Sequence, residues 1–415
     1  MSEAPVERPQ VQTGPRVALR LIWSRRLGPY FFGNALSATG TWFQNLAAAL
    51  LIYRLTHSAF LLGVLNFCNF IPILVLAPWA GAVADRFDRR RVVIASQLAS
   101  ATLSASLAAI AWAGRAEVWV VIVCALGLGI SSAFSAPASS ALIAQLVDSH
   151  DLPSAVGLNS MTFNIARAAG PALAALSVKT LGIPASFAIN AASYLVFVVA
   201  LAFLRPRAQQ TATREESRLA ASVRLLRERP QLILYLLIVA AVGFASDPVN
   251  TEAPAFANEF GKPDTFAGVL IGFFGAGAVC AAFLLAGRVA GSRRRMALTM
   301  GMLGLGIVGF SISRWLPIAC ALLVVAGFGY LASNASATSR LQLEVEDAQR
   351  GRVMALWSVA FLGLRPFASL VDGALASAYG VRVAGVCLAL PALGGALAIM
   401  ILGTKRLHSA TVTSD

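Results

Sequence analysis

Charge is scarce in this chain: Asp, Glu, Lys and Arg make up 13% of its 415 residues, against about 25% in a typical soluble domain. Such a deficit excludes an ordinary water-soluble globule. Histidine is rarer still, and His57, His150 and His408 stand isolated near loops or the tail, so a metal site or His-based catalysis has no support. The cysteines, Cys68, Cys124, Cys280, Cys320 and Cys387, all fall in apolar runs without Cys-x-x-Cys pairing, which fits apolar packing better than disulfides or metal. No Walker loop is present, which argues against a built-in ATP motor. Gly304-Leu305-Gly306-Ile307-Val308-Gly309 has the spacing of a dinucleotide fingerprint, but it lies in a long apolar run with no preceding strand and is rejected. With no nucleophile or metal constellation, the chain is not expected to be an enzyme, and no cofactor is expected. A cleavable signal peptide is also missing, because the first apolar run starts late and is long enough to be retained.

Apolar residues fill the space that charge leaves. They make up 58% of the chain, and the mean hydropathy is +0.73. Runs with little or no charge cover 27–53, 55–84, 92–114, 118–147, 152–178, 180–204, 230–251, 265–287, 296–313, 315–339, 353–381 and 383–404. Each approaches or exceeds the length that crosses a bilayer core of about 30 Å as a helix. The expected fold is therefore all-α and integral to the membrane, with twelve transmembrane helices.

The net charge of +14 suggests nucleic acid until its location is considered. An even number of spans puts both termini on one side, and 25 of the 33 Arg and Lys fall on that side against six on the other. Only Arg167 and Arg365 lie inside spans. This bias places both termini in the cytoplasm and makes the basicity topological. Residues 1–26, with Pro5, Pro9 and Pro15, read as a disordered cytoplasmic tail. Residues 205–230 read as a basic amphipathic helix on the inner surface or as a solvated tether. They separate a six-span half, 27–204, from a second, 231–404, with a short tail at 405–415.

Between the second and third spans stands a dense knot of charge, Gly81-Ala82-Val83-Ala84-Asp85-Arg86-Phe87-Asp88-Arg89-Arg90-Arg91. Read alone, it is a stop-transfer cluster, or a short loop in which the Asp85 carboxylate reaches a helix N-terminus. The second half echoes it at residues 287–295, and the fifth and eleventh spans each carry an Arg near a Pro, Arg167 and Arg365.

Ionisable groups within spans are costly and suggest function. Arg167, four residues before Pro171, reads equally as a cavity-facing cation or as a partner for a carbonyl. Arg365 and Asp372 are two helical turns apart, on one face but too distant to pair directly. Asp247 and Glu252, beside Pro248 and Pro254, read either as proton acceptors or as an exposed helix end. Asn34, Ser37, Thr41, Gln44 and Asn45 form one helical stripe on the first span, and Asn66 and Asn69 form a similar pair on the second.

The spacing of Gly81, Asp85, Arg86 and the Arg89–Arg91 run resembles the loop between helices 2 and 3 of the major facilitator superfamily, although Asp88 stands where that pattern has Gly. Gly157, Ala166, Gly170, Pro171, Ala174 and Ala175 follow the spacing of the helix 5 antiporter motif of its drug exporters, with three glycines replaced by Ala. The strings 33–42, 53–56 and 77–81 resemble the branch that holds enterobactin exporters and drug efflux proteins. The resemblance implies two pseudo-symmetric six-helix bundles, with a substrate cavity between them near mid-membrane. It further implies a cytoplasmic latch formed by Gly81, Asp85, Arg86, Arg89 and Arg90, a cavity lined by the Asn34–Asn45 stripe and Arg167, and close helix packing at Gly157, Gly170 and Pro171.

Asp247, Glu252 and Asp372 are then the candidate proton carriers. The Arg that proton-coupled exporters of the family usually carry in helix 4 is missing from 118–147. The implied function is proton-coupled export of an amphipathic siderophore or drug from a bacterium, by a multi-pass monomer of the cytoplasmic membrane that binds no nucleic acid. A metabolite importer and a non-transporting membrane sensor or scaffold remain open alternatives.

Overall fold

The computed structural model describes residues 15–148, 150–204, 206–207, 224–285, 292–346 and 349–412. Among these, every regular element is a helix, and each expected span is present. The spans are Gly28–Thr56, Ala59–Arg86, Arg89–Trp112, Val118–Leu146, Leu152–Thr180 and Ile183–Ala202 in the first half. In the second half they are Gln231–Thr251, Ala267–Leu284, Arg293–Ile312, Leu316–Leu343, a broken eleventh running from Arg350 to Tyr379, and Val381–Val412. They are numbered first to twelfth below.

Ten of them are long and apolar enough to cross a membrane on hydropathy alone. The first and fifth, each of 29 residues, are long enough but diluted by polar side chains. That dilution marks the helices that border the polar interior.

Local chemistry accounts for the turns. Ser58 and Ser292 cap the second and ninth spans by accepting a hydrogen bond from the backbone N–H three residues on. Gly114, Gly182 and Gly380 turn the chain with positive φ, which costs a glycine little. Alternation of the spans defines two ends of the molecule, one at the His57 turn and one at the Asp88 turn.

Six helices pack in each half with the same pairing. Second meets fourth, third meets sixth and first meets sixth; correspondingly, eighth meets tenth, ninth meets twelfth and seventh meets twelfth. The halves join through two equivalent crossings, second on eleventh and fifth on eighth. A pseudo-two-fold relation between the bundles follows from this pattern. Because lipid is as apolar as these side chains, close backbone approach at small residues holds the crossings together. At Gly63 an added Cβ would collide with the Ser369 carbonyl, and at Gly268 with Pro171 and Ala175. These crossings lie toward the His57 end, as do the Arg54–Asp264 ion pair and the Asn258–Tyr53 hydrogen bond between the halves.

The tail needs a correction. Pro15–Ile22 is helical, Leu21 is buried, and Arg20 forms an ion pair with Asp151 at 2.7 Å. A short amphipathic stretch with a charged partner orders more readily than its prolines suggested. The linker expectation falls largely outside the described residues, as does the second-half echo at 287–291, while His408 lies on the twelfth span.

Candidate functional site

Two polar regions occupy the interior, and they differ in kind. One gathers charge. Asp247, Glu252 and Asp372 of the second half are each exposed by 1% or less, Arg365 of the same half by 8%, and Arg167 of the first half by 9%.

Breaks in two helices bring these groups together. The seventh span stops at Thr251 and restarts as Ala253–Glu259, with Pro254 in the first turn of the restart. Pro lacks the N–H that would continue the ladder, so Glu252 sits at the break with non-helical backbone. In the eleventh span a π-helical segment, Val359–Gly363, precedes Arg365-Pro366. Such widened turns in a helix occur often at functional sites.

Asp247 is the one carboxylate of the three with partners. It accepts hydrogen bonds from Thr251 Oγ1 at 2.9 Å and Ser369 Oγ at 3.2 Å, and Arg365 Nε stands 3.8 Å away. Glu252 lies within electrostatic reach of Asp372 and Asp247, yet neither oxygen of Glu252 or of Asp372 has a hydrogen-bond partner among the described residues. The Arg365 guanidinium lies over Phe70 at 4.5 Å and over Trp42 at 5.5 Å. Arg167 lies over Tyr330 at 4.4 Å and over Trp42 at 5.6 Å, and donates to the Tyr330 hydroxyl. Trp42 of the first half thus carries both second-half-facing guanidiniums on its ring, where desolvated cation–π contact is worth about 2 kcal/mol.

Two of the sequence readings narrow here. Asp247 and Glu252 are sealed inside the protein, because the chain continues beyond them as a buried helix. Arg167 borders a small void and is held by two aromatic rings where the halves meet, so a simple carbonyl partner does not describe it. As expected, Arg365 does not pair with Asp372; its carboxylate, Asp247, is on another span.

The first half holds hydroxyls and amides. A cavity of about 250 Å³ is bordered by Asn34, Ser37 and Thr41 of the predicted stripe, by Tyr30, Gln97, Asn159 and Tyr194, and by a run of serines on the fourth span. Asn34 donates to Asn159 at 3.0 Å, Ser37 donates to Gln97 at 3.0 Å, and Thr41 and Tyr194 share a hydrogen bond of 3.0 Å. The rest of the stripe departs from expectation. Gln44 and Asn45 border a separate, smaller void with Asn66 and Asn69, where Gln44 accepts from Asn190 at 2.6 Å and Asn45 accepts from Asn69 at 3.4 Å. Helix rotation over eleven residues carries the end of the stripe to a different neighbour.

A family model described as a transmembrane secretion effector, within the major facilitator superfamily, matches residues 25–415. The chain is a member of that superfamily. It is 26% identical over 367 residues to the staphyloferrin A transporter of Staphylococcus aureus, covering 85% of this chain and 90% of that one. It is 25% identical over 408 residues to the multidrug efflux pump Tap of Mycobacterium bovis, covering 92% and 96%. In fold it resembles a bacterial homologue of the human lysosomal transporter Spinster, crystallised inward-facing and occupied, with a TM-score of 0.73 at 14% identity, covering 95% of this chain and 98% of that one. The protein is a multi-pass membrane transporter and not an enzyme.

In this transporter the turn after the second span is two residues long, Phe87 and Asp88. Asp88, where the family pattern has Gly, caps the third span by accepting from the Arg91 N–H at 2.9 Å. Gly81 faces open space, and Asp85 and Arg86 are exposed. Arg89 donates to the carbonyls of Ala84 and Ala141 at 3.4 and 3.5 Å, and Arg90 to that of Ala202 at 2.6 Å. The Ala84 and Ala202 carbonyls lie in the last turns of the second and sixth spans, where a cation meets the negative end of the helix dipole, and that of Ala141 lies near the end of the fourth. In this conformation the two arginines therefore tie the first bundle to itself, and among the described residues they form no ion pair with an acid.

The helix 5 motif divides likewise. At Gly170 a Cβ would stand 2.7 Å from that of Trp42, so this glycine admits the first span, while Pro171 and Ala175 meet Gly268 of the eighth. Gly157 has nothing within 4 Å of an added Cβ, which corrects its expected packing role. His150 is also less isolated than it looked. Its ring can share a ligand site with Asp148 and Asp151, but Arg207 holds Asp148 at 2.5 Å and Arg20 holds Asp151. The Arg207 guanidinium keeps the Asp148 carboxyl below its ordinary range.

Sequence reasoning missed Tyr330, Ser369, Trp42 and Phe70. Nothing local distinguishes an aromatic that receives a guanidinium from one that faces lipid.

Proposed function

We propose that this transporter is a proton-coupled exporter of amphipathic small molecules, a siderophore or a drug, working as a monomer by alternating access with both termini in the cytoplasm. The charge bias of the loops supports that orientation. With it, the His57 end is the outer face, and the closed crossings there make the conformation inward-facing. Names among the relatives support the cargo: one is a staphyloferrin A transporter and another a multidrug efflux pump.

The coupling rests on one observation, the burial of Glu252 and Asp372 without partners. Two more negative charges beside Asp247, facing two arginines of which one is committed to Tyr330, cost several kcal/mol unless protons neutralise them. Opening of the outer crossings hydrates the pair and changes that cost, so proton binding is linked to the conformational equilibrium. The outer crossing of the second and eleventh spans carries Ser369 and Gly373 on the same helix as Asp372. The cytoplasmic turn with Gly81, Asp85, Arg86, Arg89 and Arg90 serves as the opposing latch when the transporter faces outward.

Inverted vesicles supplied with fluorescent drugs and a catecholate siderophore, with and without an imposed proton gradient, test this reading. Accumulation should follow the gradient and collapse when a protonophore dissipates it. Accumulation indifferent to the gradient would remove proton coupling, and no accumulation of any cargo would remove export.

A further inference from the structure

The cavity of the first half has a property beyond its position: none of the residues bordering it is Asp, Glu, Lys, Arg or His. Its wall is instead crowded with hydroxyls. Ser131, Ser135 and Ser139 follow one another at four-residue intervals on the fourth span, so they stack one turn above the next on a single face. The hydroxyls of Ser132 and Ser135, with that of Ser100 from the third span, make no hydrogen bond to any described residue. In the same wall Tyr30 is 2% exposed, and its hydroxyl lies beside Ser139 without a well-formed hydrogen bond. Hydroxyls that spend no bond within the protein are left to bond a ligand or water.

The chemistry of such a wall is selective. A hydroxyl both donates and accepts, so a row of them matches a partner whose own groups do the same. A fixed charge entering this space finds no counter-ion among the residues that border it, so the hydration it gives up there is not replaced by an ion pair. The Arg167 and Arg365 guanidiniums, which do not border the cavity, are engaged with the ring of Trp42 and with Tyr330 or Phe70. At about 250 Å³ the space is smaller than the roughly 300–1,000 Å³ that encloses a drug-sized ligand. It admits part of a molecule.

We propose that this cavity binds an uncharged polyhydroxyl moiety of the cargo, of the size of one sugar ring, and rejects the same moiety when it bears a carboxylate or an ammonium. The inference rests on the export reading for its physiological meaning, but the recognition itself is a binding property.

Three fluorescent probes on one scaffold test it: 4-methylumbelliferyl glucoside, its glucuronide, and its 2-amino-2-deoxyglucoside. Binding to the purified full-length protein in lipid nanodiscs is measured first, and uptake into inverted vesicles second. The neutral glucoside should bind at least tenfold more tightly than either charged analogue. Ser135→Ala should weaken the glucoside several-fold, and Ser135→Asp should turn the preference toward the amino sugar while the protein remains monodisperse. Equal or tighter binding of a charged analogue, no binding of any probe, or an unaffected Ser135→Ala would overturn the proposal. Selective glucoside binding without uptake of any cargo would leave this proposal standing and overturn export. Gradient-driven drug uptake without glucoside binding would do the reverse.

Discussion

The two halves share one pattern of helix pairing and diverge in the chemistry they bury. The first half surrounds its cavity with neutral serines, asparagines and glutamines that satisfy each other or face the space, and its buried Arg167 donates to Tyr330 of the second half. The second half buries three carboxylates and a guanidinium within one cluster. A common scaffold therefore buries two kinds of polar group, neutral hydrogen-bonding side chains around a cavity and ionisable ones in a cluster. The Arg167 and Arg365 guanidiniums stacked on Trp42 lie where the two halves meet.

The sharpest way to break this contrast is to unbalance the charged side. Arg365→Ala should strip Asp247 of its cation and destabilise the folded protein by about 3–5 kcal/mol, the usual cost of orphaning a buried charge; detergent-dependent thermal unfolding reads this directly. A variant as stable as the parent would show that Arg365 compensates nothing. Asp372→Asn should act in the opposite direction, because it removes a carboxylate that has no partner. Its melting temperature should hold or rise, while gradient-driven efflux falls by at least tenfold, and unchanged efflux would exclude Asp372 as a carrier.

Asp85→Asn probes the turn outside both interiors. The protein should insert and fold, with transport sharply reduced, and parental flux would end the latch assignment. Small residues separate true crossings from incidental ones. Gly170→Ala should cost about 1–3 kcal/mol by overpacking against Trp42, whereas Gly157→Ala should stay within about 0.5 kcal/mol. Equal effects would mean that the fifth span packs differently from the arrangement seen here. A small change is likewise expected for Arg54→Ala, which removes an inter-half pair in which the Arg54 side chain is 44% exposed. Such pairs contribute about 0–1 kcal/mol, enough to favour opening at the His57 end. Faster labelling of a reporter cysteine on the outer crossing, with little change in melting temperature, would confirm it.

Much of the architecture was legible beforehand because hydropathy is a property of consecutive residues. Charge-free runs such as 55–84 and 92–114 became the second and third spans within a few residues, and the Asp85–Arg91 knot became their turn. The stripe at Asn34, Ser37 and Thr41 reached a cavity because helical periodicity places these residues on one face. Its continuation to Gln44 and Asn45 did not, since a stripe on a straight helix drifts past its neighbour. Glu252 looked like a helix end, and it is one, but whether an end is wet depends on what packs over it.

By itself, then, the sequence determined the number of spans, their alternation, the two-fold repeat and the family, because each follows from local composition and spacing in a solvent that tolerates only satisfied backbones. Tertiary structure alone decided that Arg365 pairs with Asp247, that Trp42 receives both guanidiniums, that Gly170 is a crossing and Gly157 is not, and that the buried carboxylates gather in one cluster while the cavity wall is neutral. Partners on different helices are chosen by the rotation and depth at which those helices meet, and neither is written in any single segment.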